Sequence, residues 1–287
     1  MSEVTKLAYG KINLGLDVLG KREDGYHLVR MIMQTVEVHD TVVVETNTTG
    51  EITMTCDNDT LPVDENNLCI RAAKLLKDEF NFDGGVNISL TKRIPIAAGM
   101  AGGSADAAAV LKAINQLFDL GLSKKDLMKR GLLLGADIPY CIMGGTALAE
   151  GIGEELTRLS PMPEAQVLIA KPPVDVSTGQ IYKALDSRKS YEHPNIDALI
   201  HAIEYEDVFG IALKMGNVLG DVTMPMVPEI QKLIEIMEEN GAIRAMMTGS
   251  GPTVFGIFDD ADEMEACRKK LEELNLCENL YSTSTIV

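Results

Sequence analysis

Residues 94–110 read IPIAAGMAGGSADAAAV, and this stretch decides the fold. Gly99, Gly102 and Gly103 permit positive φ and close approach of backbone to a ligand. The alanine-rich run from Ala105 onward, continuing into Leu111–Phe118, has strong helix propensity. A glycine loop therefore feeds a helix beginning near Gly102, whose first N–H groups have no intrahelical partner and carry partial positive charge. A di- or triphosphate suits such a cradle, with the Ser104 hydroxyl as a further donor or a metal contact. Equally, such a loop can serve only as a tight turn that packs a helix onto a sheet.

On the N-terminal side, Val4–Val18 alternates as a strand, and Arg30–Thr46 has the β-branched density of one or two more. The segment 65–80 places Leu68, Ala72, Leu75 and Leu76 on one helical face, and the Gly84-Gly85 turn leads into a strand over Val86–Thr91. On the C-terminal side, Ser123 to Asp126 looks like a capping box. It opens a helix predicted to reach Leu134, with Gly135 closing it in a left-handed cap. Asp137 then falls in a turn ahead of Pro139. Prolines 161, 163, 172 and 173 bracket the apolar run Gln166–Ala170, and the first two mark a boundary near residue 159, giving domains 1–158 and 159–287. Beyond it, helical patterns cover 178–186, 195–215, 227–240 and 261–274, and strands cover 242–247, 253–259 and the C-terminus. The sum is an α+β architecture.

Forty-three acidic against twenty-six basic residues give a net charge of −17. That field opposes nucleic acid and anionic lipid as partners, and it means that a phosphate site must rely on local backbone N–H groups, a helix N-terminus and a metal ion. Five scattered cysteines with no C-x-x-C pair suit reduced thiols. No leader-like segment opens the chain and no stretch reaches about 18 apolar residues, so the expected compartment is the cytoplasm. A P-loop is excluded: Gly10-Lys11 is followed by Ile12, and Gly20-Lys21 by Arg22. A second glycine-serine cluster, Thr248-Gly249-Ser250-Gly251-Pro252-Thr253, separates two strand-like runs. Alone it is a hairpin turn; paired with the first loop it suits a ligand site.

These segments together resemble the GHMP kinases, which carry an N-terminal strand with Lys11-Ile12-Asn13, a central loop from Pro95 to Ser104 and a C-terminal Gly249-Ser250-Gly251-Pro252-Thr253 loop. The further runs Lys21 to His27 and Gly135-Ala136-Asp137-Ile138-Pro139 are similar to the branch that phosphorylates a cytidine-diphosphate-linked sugar alcohol in isoprenoid precursor synthesis. The resemblance implies a two-domain GHMP kinase fold, with an N-terminal ribosomal-protein-like α/β sandwich and a C-terminal ferredoxin-like domain. It implies ATP with Mg²⁺, a small-molecule substrate bearing a cytidine diphosphate group, no nucleic-acid or membrane partner, and a monomer or homodimer.

By the same resemblance, Asp137 matches the catalytic aspartate, Lys11 its partner lysine and Asn13 a substrate contact. Tyr26 and His27 match a pair that stacks on and hydrogen-bonds to cytosine; Tyr182 and Thr178 fall in the same pocket. Pro95, Ile96, Ala97, Ala98, Gly99, Met100, Ala101, Gly102, Gly103, Ser104 and Ala105 match the ATP-phosphate loop. No protein ligand for the metal is assigned; Glu150 and Ser104 are candidates. The chain departs from the pattern at Met100, where leucine is frequent, at Ala105, which replaces a second serine, and at Tyr9-Gly10, which stand where proline and alanine are frequent.

The assigned chemistry is coherent. A tertiary alcohol needs an acceptor for its proton, and a lysine beside that acceptor keeps it ionised and offsets phosphoryl charge. Read without the resemblance, Lys11 is a solvated edge charge, Asp137 a turn former, and His27 and Tyr26 surface packing. Rival readings are a GHMP kinase for homoserine, mevalonate or a sugar, and a non-catalytic nucleotide-binding sensor.

Overall fold

The computed structural model describes residues 2–188 and 190–287. In chain order the elements are β1 (Glu3–Lys21), β2 (His27–Asn47), β3 (Ile52–Cys56), α1 (Leu68–Phe80), β4 (Gly85–Thr91), α2 (Gly102–Leu117), α3 (Lys124–Leu132) and α4 (Ile138–Met143). There follow β5 (Thr146–Glu150), β6 (Glu155–Arg158), β7 (Gln166–Lys171), α5 (Thr178–Asp186), α6 (Ile196–Glu204), α7 (Val208–Lys214), β8 (Gly216–Asn217) and α8 (Gly220–Met226). The chain ends with α9 (Pro228–Glu239), β9 (Arg244–Met247), β10 (Val254–Phe258), α10 (Ala261–Leu274) and β11 (Asn279–Ser284).

These elements form two compact units that are not colinear with the sequence. The first holds Met1–Gly10, Val38–Ile96 and Ala101–Gly144; the second holds Lys11–Glu37, Ala97–Met100 and Gly145–Val287. β1 and β2 each contribute residues to both.

In the first unit, β3 runs parallel to β4, from Ile52 opposite Val86 to Cys56 opposite Leu90. β4 runs antiparallel to the end of β2, Thr41 opposite Thr91 through Asn47 opposite Gly85. The β-branched run Val42 to Val44 explains why this part of β2 is extended, and Val42, Val44, Val86 and Ile88 are all buried. Helix α1 starts where the Asn67 side chain accepts from Cys69 N–H and stops at Asn81, which adopts the left-handed conformation at φ 48°. Its buried face is Cys69, Ile70, Ala72, Ala73 and Leu76, so the expected face is turned slightly, with Leu68 and Leu75 half-buried at its margins. Helix α1 packs against α2, whose small buried residues Ala105, Ala107, Ala108, Ala109 and Ala113 permit the close approach.

The Ser123–Asp126 capping box is present in full. The end of α3 differs from expectation: the helix stops at Leu132, Leu133 remains right-handed, and Gly135 is absent from the positive-φ residues. The stop instead serves α4. A Cβ at Gly131 would stand 2.6 Å from the Ile138 side chain, so glycine there lets α3 lie close against this next short helix.

In the second unit, β5 pairs with the first half of β2, Met31 opposite Ala149 to Gln34 opposite Thr146, and with β6. β8 lies parallel to β1 at Gly15 and Leu16. A separate antiparallel sheet has the order β11-β7-β10-β9, with α9 and α10 packed on it. Counted along the chain, that order is fourth, first, third, second, the ferredoxin-like arrangement. Phe255, Phe258, Val167 and Ile169 are wholly or almost wholly buried in its strands.

The helical pattern over 195–215 resolves into two helices. The break comes at Glu206, φ 55°, after which the Asp207 side chain caps α7 by accepting from Gly210 N–H. Among the described residues no helix is long and apolar enough to cross a membrane.

Candidate active site

The loop before α2 opens an uncapped helix. Its N-cap is Ala101, whose side chain makes no capping bond, and no acidic residue occupies the first turn. The ladder begins with Ala105 N–H donating to Ala101 O at 2.9 Å, so the N–H groups of Gly102, Gly103 and Ser104 have no intrahelical acceptor. Such an open helix end, with no acidic side chain over it, is a place where an anion is favoured. The backbone reaches that shape differently from expectation. Gly102 and Gly103 are helical, and the left-handed positions are Ala97 (φ 51°), Gly99 (φ 69°) and Ala101 (φ 58°).

One turn into α2, the Asp106 carboxylate is buried beside Lys92, with Lys92 Nζ 2.9 Å from Asp106 Oδ2. Lys92 also pairs with Asp40, whose Oδ1 accepts Ile94 N–H at 2.8 Å. Asp106 Oδ1 is buried without a partner. Burial first, then the Asp40 charge, push the Asp106 carboxyl up to about 8, against the pull of Lys92. Burial thus favours the uncharged form of the Asp106 carboxyl, which lessens the negative charge close to the positive end of α2. Sequence reading overlooked all three residues, although Asp106 lies directly in the quoted loop.

Asp137 is the N-cap residue of α4 rather than a simple turn former, with Pro139 in the first turn. Its carboxylate makes no capping bond and is half-buried. At the other end of this six-residue helix, Lys112 Nζ donates to Cys141 O at 3.0 Å and Lys124 Nζ to Met143 O at 2.7 Å. Two ammonium groups thus hold the terminal carbonyls of the helix that carries Asp137. Burial lowers the Lys112 ammonium below the usual lysine range.

In the second unit, Lys11 and Asn13 alternate on β1 and so share a face. Both are buried, and Lys11 Nζ donates to Asn13 Oδ1 and to Gly99 O, each at 2.6 Å. Lys11 N–H bonds Met100 O at 3.1 Å. Asn13 N–H donates to Thr248 Oγ1 at 3.0 Å, which ties the C-terminal glycine-serine loop to this strand. Gly99 and Thr248 are nearly touching: a Cβ at Gly99 would stand 2.5 Å from Thr248 O. Asn217 holds the loop from behind through Met247 O at 2.9 Å and Gly249 O at 2.8 Å. Lys11, Asn13, Gly99 and the Thr248–Thr253 loop therefore form one buried polar cluster.

A second group in this unit surrounds a pocket of about 570 Å³ lined by Tyr26, His27, Thr178, Tyr182, Lys21 and Asp186 among others. The turn from Arg22 to Tyr26, closed by Arg22 N–H to Tyr26 O at 2.7 Å, sets Tyr26 and His27 at the end of the β1–β2 hairpin. The His27 and Tyr182 rings lie 4.6 Å apart at 31°, and Tyr26 is 60% exposed, leaving its face open for stacking. Thr178 Oγ1 is 2.8 Å from Ser250 Oγ, which joins the pocket to the glycine-serine loop. The structure brings all four predicted pocket residues together.

Asp186 was missed. Its Oδ1 is 2.6 Å from His27 Nε2, its Oδ2 2.5 Å from Lys21 Nζ, and these two contacts lower its carboxyl, His27 contributing most. The available signal was its position four residues after Tyr182 on α5, hence on the same helical face.

Of the two metal candidates, Glu150 is engaged by Arg30 at 3.3 Å, whereas Ser104 lies in the open first turn of α2. Among the described residues no group of three or more His, Cys, Asp or Glu could hold a metal.

The class follows from known proteins that share these features. The family described as GHMP kinases N terminal domain matches residues 67–145, and GHMP kinases C terminal matches residues 199–275. The fold is thus the α+β two-domain fold of GHMP kinases. The 4-diphosphocytidyl-2-C-methyl-D-erythritol kinase of Lachnospira eligens is 51% identical over 285 residues, covering 99% of each chain. That of Lachnoclostridium phytofermentans is 49% identical over 265 residues, covering 92% of this chain and 91% of its own. A crystal structure of 4-(cytidine 5'-diphospho)-2C-methyl-D-erythritol kinase superposes with a TM-score of 0.85 at 29% identity, covering 98% of this chain and 99% of the other. The chain belongs to the 4-diphosphocytidyl-2-C-methyl-D-erythritol kinase family.

Proposed function

We propose that this ATP-dependent small-molecule kinase transfers the γ-phosphoryl group of ATP to the 2-hydroxyl of 4-diphosphocytidyl-2-C-methyl-D-erythritol, a step of non-mevalonate isoprenoid precursor synthesis. The observation that carries the substrate choice is the pocket where His27, Tyr182 and Tyr26 meet, because homoserine, mevalonate and simple sugars offer no base to stack there. Residues 1–158 and 159–287 correspond in this reading to the N- and C-terminal GHMP domains, working in the cytoplasm.

The roles follow from chemistry. Asp137 accepts the proton of the attacking hydroxyl as its oxygen bonds to phosphorus and the bond from phosphorus to the ADP oxygen breaks. Lys11, buried and held by Asn13 and Gly99, supplies fixed positive charge for the moving phosphoryl group. Asn13 contacts the substrate. Residues 95–105 hold the nucleotide phosphates through the open N–H groups of α2, and Thr178 and Tyr182 complete the base pocket. Ser104 is the side chain that would help hold a Mg²⁺ brought in on the nucleotide, which would supply positive charge against the phosphates.

The test is ADP release with Mg-ATP and a panel of the cytidine compound, mevalonate, homoserine and galactose, followed by phosphorus NMR. Selective conversion of the cytidine compound to a phosphomonoester is expected. Turnover of another acceptor would keep the kinase class and retire the base pocket, and no turnover across the panel would favour a nucleotide sensor.

A further inference from the structure

We infer that Asp186 sets the base specificity of the pocket by fixing the tautomer of His27. The inference rests on the cytidine reading above and adds a residue to it.

An ionised carboxylate only accepts hydrogen bonds. Asp186 is kept ionised by its two partners, Lys21 at 2.5 Å and His27 at 2.6 Å. The bond between Asp186 Oδ1 and His27 Nε2 therefore has the ring nitrogen as donor, and of the two neutral tautomers of the imidazole it selects the one with its proton on Nε2. Nδ1 is left as a bare acceptor, and it takes no hydrogen bond from any described residue. A half-turn of the ring about its Cβ–Cγ bond would keep its packing on Tyr182, 4.6 Å between centroids, but would put a carbon where Nε2 meets the carboxylate, so the Asp186 contact holds the ring in this orientation. Its side chain is 12% exposed, so little water is available to substitute for a missing partner. The other charged group of the pocket is Lys183, also on α5, and ammonium groups cannot accept a proton from His27.

Cytosine and uracil differ at the edge such an acceptor reads. Cytosine offers an N4 amino donor, whereas uracil presents O4, an acceptor. Acceptor facing acceptor leaves two polar atoms unpaired, and polar mismatch of this kind discriminates more strongly than shape. Asp186 is a positioning residue in this scheme: it touches His27, and His27 touches the base. Its place at the last residue of α5, one helical turn from Tyr182, lets one helix supply both the stacking ring and the tautomer-setting carboxylate.

The experiment uses the full chain with Mg-ATP and compares the cytidine substrate with its uridine counterpart in the wild type, Asp186→Asn and Lys21→Met. Asparagine is nearly isosteric but can donate or accept, so it no longer selects one tautomer. In D186N the KM for the cytidine compound is expected to rise about tenfold with KM for ATP unchanged, and the cytidine-over-uridine preference to narrow by about tenfold. Lys21→Met removes the lesser of the two contacts that lower the Asp186 carboxyl and leaves the larger, Asp186–His27, in place, so it is expected to keep the preference ratio. In parallel, long-range proton–nitrogen NMR of the labelled wild type, with His27→Gln to assign the ring, should find Nε2 protonated and Nδ1 bare once the pH is raised until the ring carries a single proton.

A wild-type ring protonated on Nδ1, undiminished discrimination in D186N, or equal loss of preference in both variants would each overturn the assignment. A wild type that ignores the cytidine compound is a different failure: it retires the parent reading, and the base specificity with it, while the tautomer is still read by NMR.

Discussion

Replacing Gly99 by alanine tests the link between loop geometry and the buried lysine. Two costs arise at once. The φ of 69° is left-handed and costs an alanine about 1–2 kcal/mol, yet Ala97 and Ala101 tolerate that conformation in the same loop. The decisive cost is steric. The new Cβ would lie 2.5 Å from Thr248 O, whereas a carbon–oxygen contact needs about 3.3 Å, so the loop must retreat by about 0.8 Å. Overpacking of this kind adds about 1–3 kcal/mol. The sum, about 2–5 kcal/mol, corresponds to a fall in melting temperature of roughly 3–8 °C for a chain of 287 residues. The same retreat carries Gly99 O away from Lys11 Nζ, now 2.6 Å distant, and a displacement near 1 Å at a catalytic group is worth about 10²-fold in rate. Calorimetry and ADP-release kinetics read both effects. Gly103→Ala is the control: its Cβ would meet nothing closer than Leu68 at 3.9 Å, and in a helix it should add about 0.5–1 kcal/mol of stability. A G99A protein that melts within a degree of the wild type and keeps its turnover would refute the packing argument.

Three further outcomes are expected. Asp106 holds its proton up to about pH 8 in the folded protein but releases it in the usual carboxylate range when unfolded. Its contribution is therefore fully present in acid and is lost as pH rises towards 8, at up to about 1.4 kcal/mol per pH unit; thermal melts from pH 6 to 8.5 should lose that slope in Asp106→Asn, and an unchanged slope would place the proton elsewhere. Lys112→Met removes the ammonium that holds Cys141 O while keeping bulk on α2. Steady-state kinetics should give a kcat about tenfold lower with an unaltered KM for ATP, since a charged hydrogen bond of about 1.5–3 kcal/mol no longer anchors α4, and unaltered kcat would release α4 from any part in placing Asp137. Asp137→Asn should keep ATP binding by calorimetry and cut turnover by on the order of 10²-fold or more; near-normal turnover would remove it as the base.

How much of this was legible in the sequence depended on whether the signal was local. The α2 start, the Ser123 capping box and the strand β4 were readable because alternation, alanine content and capping residues act within a few positions. The separate strands β5 and β6 were not picked out, since Thr146 to Arg158 is short and glycine-broken and is extended mainly by pairing with Met31–Gln34 far upstream. Helix α4 has six residues and too few turns to display a period. The same contrast holds in the site. Lys11, Asn13, His27 and Asp137 stood in recognisable strings, whereas Asp186 and the Asp40–Lys92–Asp106 cluster acquire meaning only through partners 159, 52 and 14 residues away. The positive φ at Ala97 and Ala101 was hidden because alanine advertises helix, and only the surrounding structure overrides it.

Asn13 and its partner Thr248 are separated by 235 residues, and the Gln34 side chain bonds Ile286 O, 252 residues downstream. A ribosome adding about 5–20 residues per second therefore completes the strand bearing Lys11 and Asn13 roughly 12–50 s before its closing loop emerges. The first unit is fully synthesised at Gly144, whereas Ile12, Leu14 and Leu16, all buried in the finished protein, belong to the second unit, which is completed only with the C-terminal strands. The segment from Thr248 onward is thus the part of the chain whose synthesis closes the polar cluster around Asn13 and supplies the partner of Gln34.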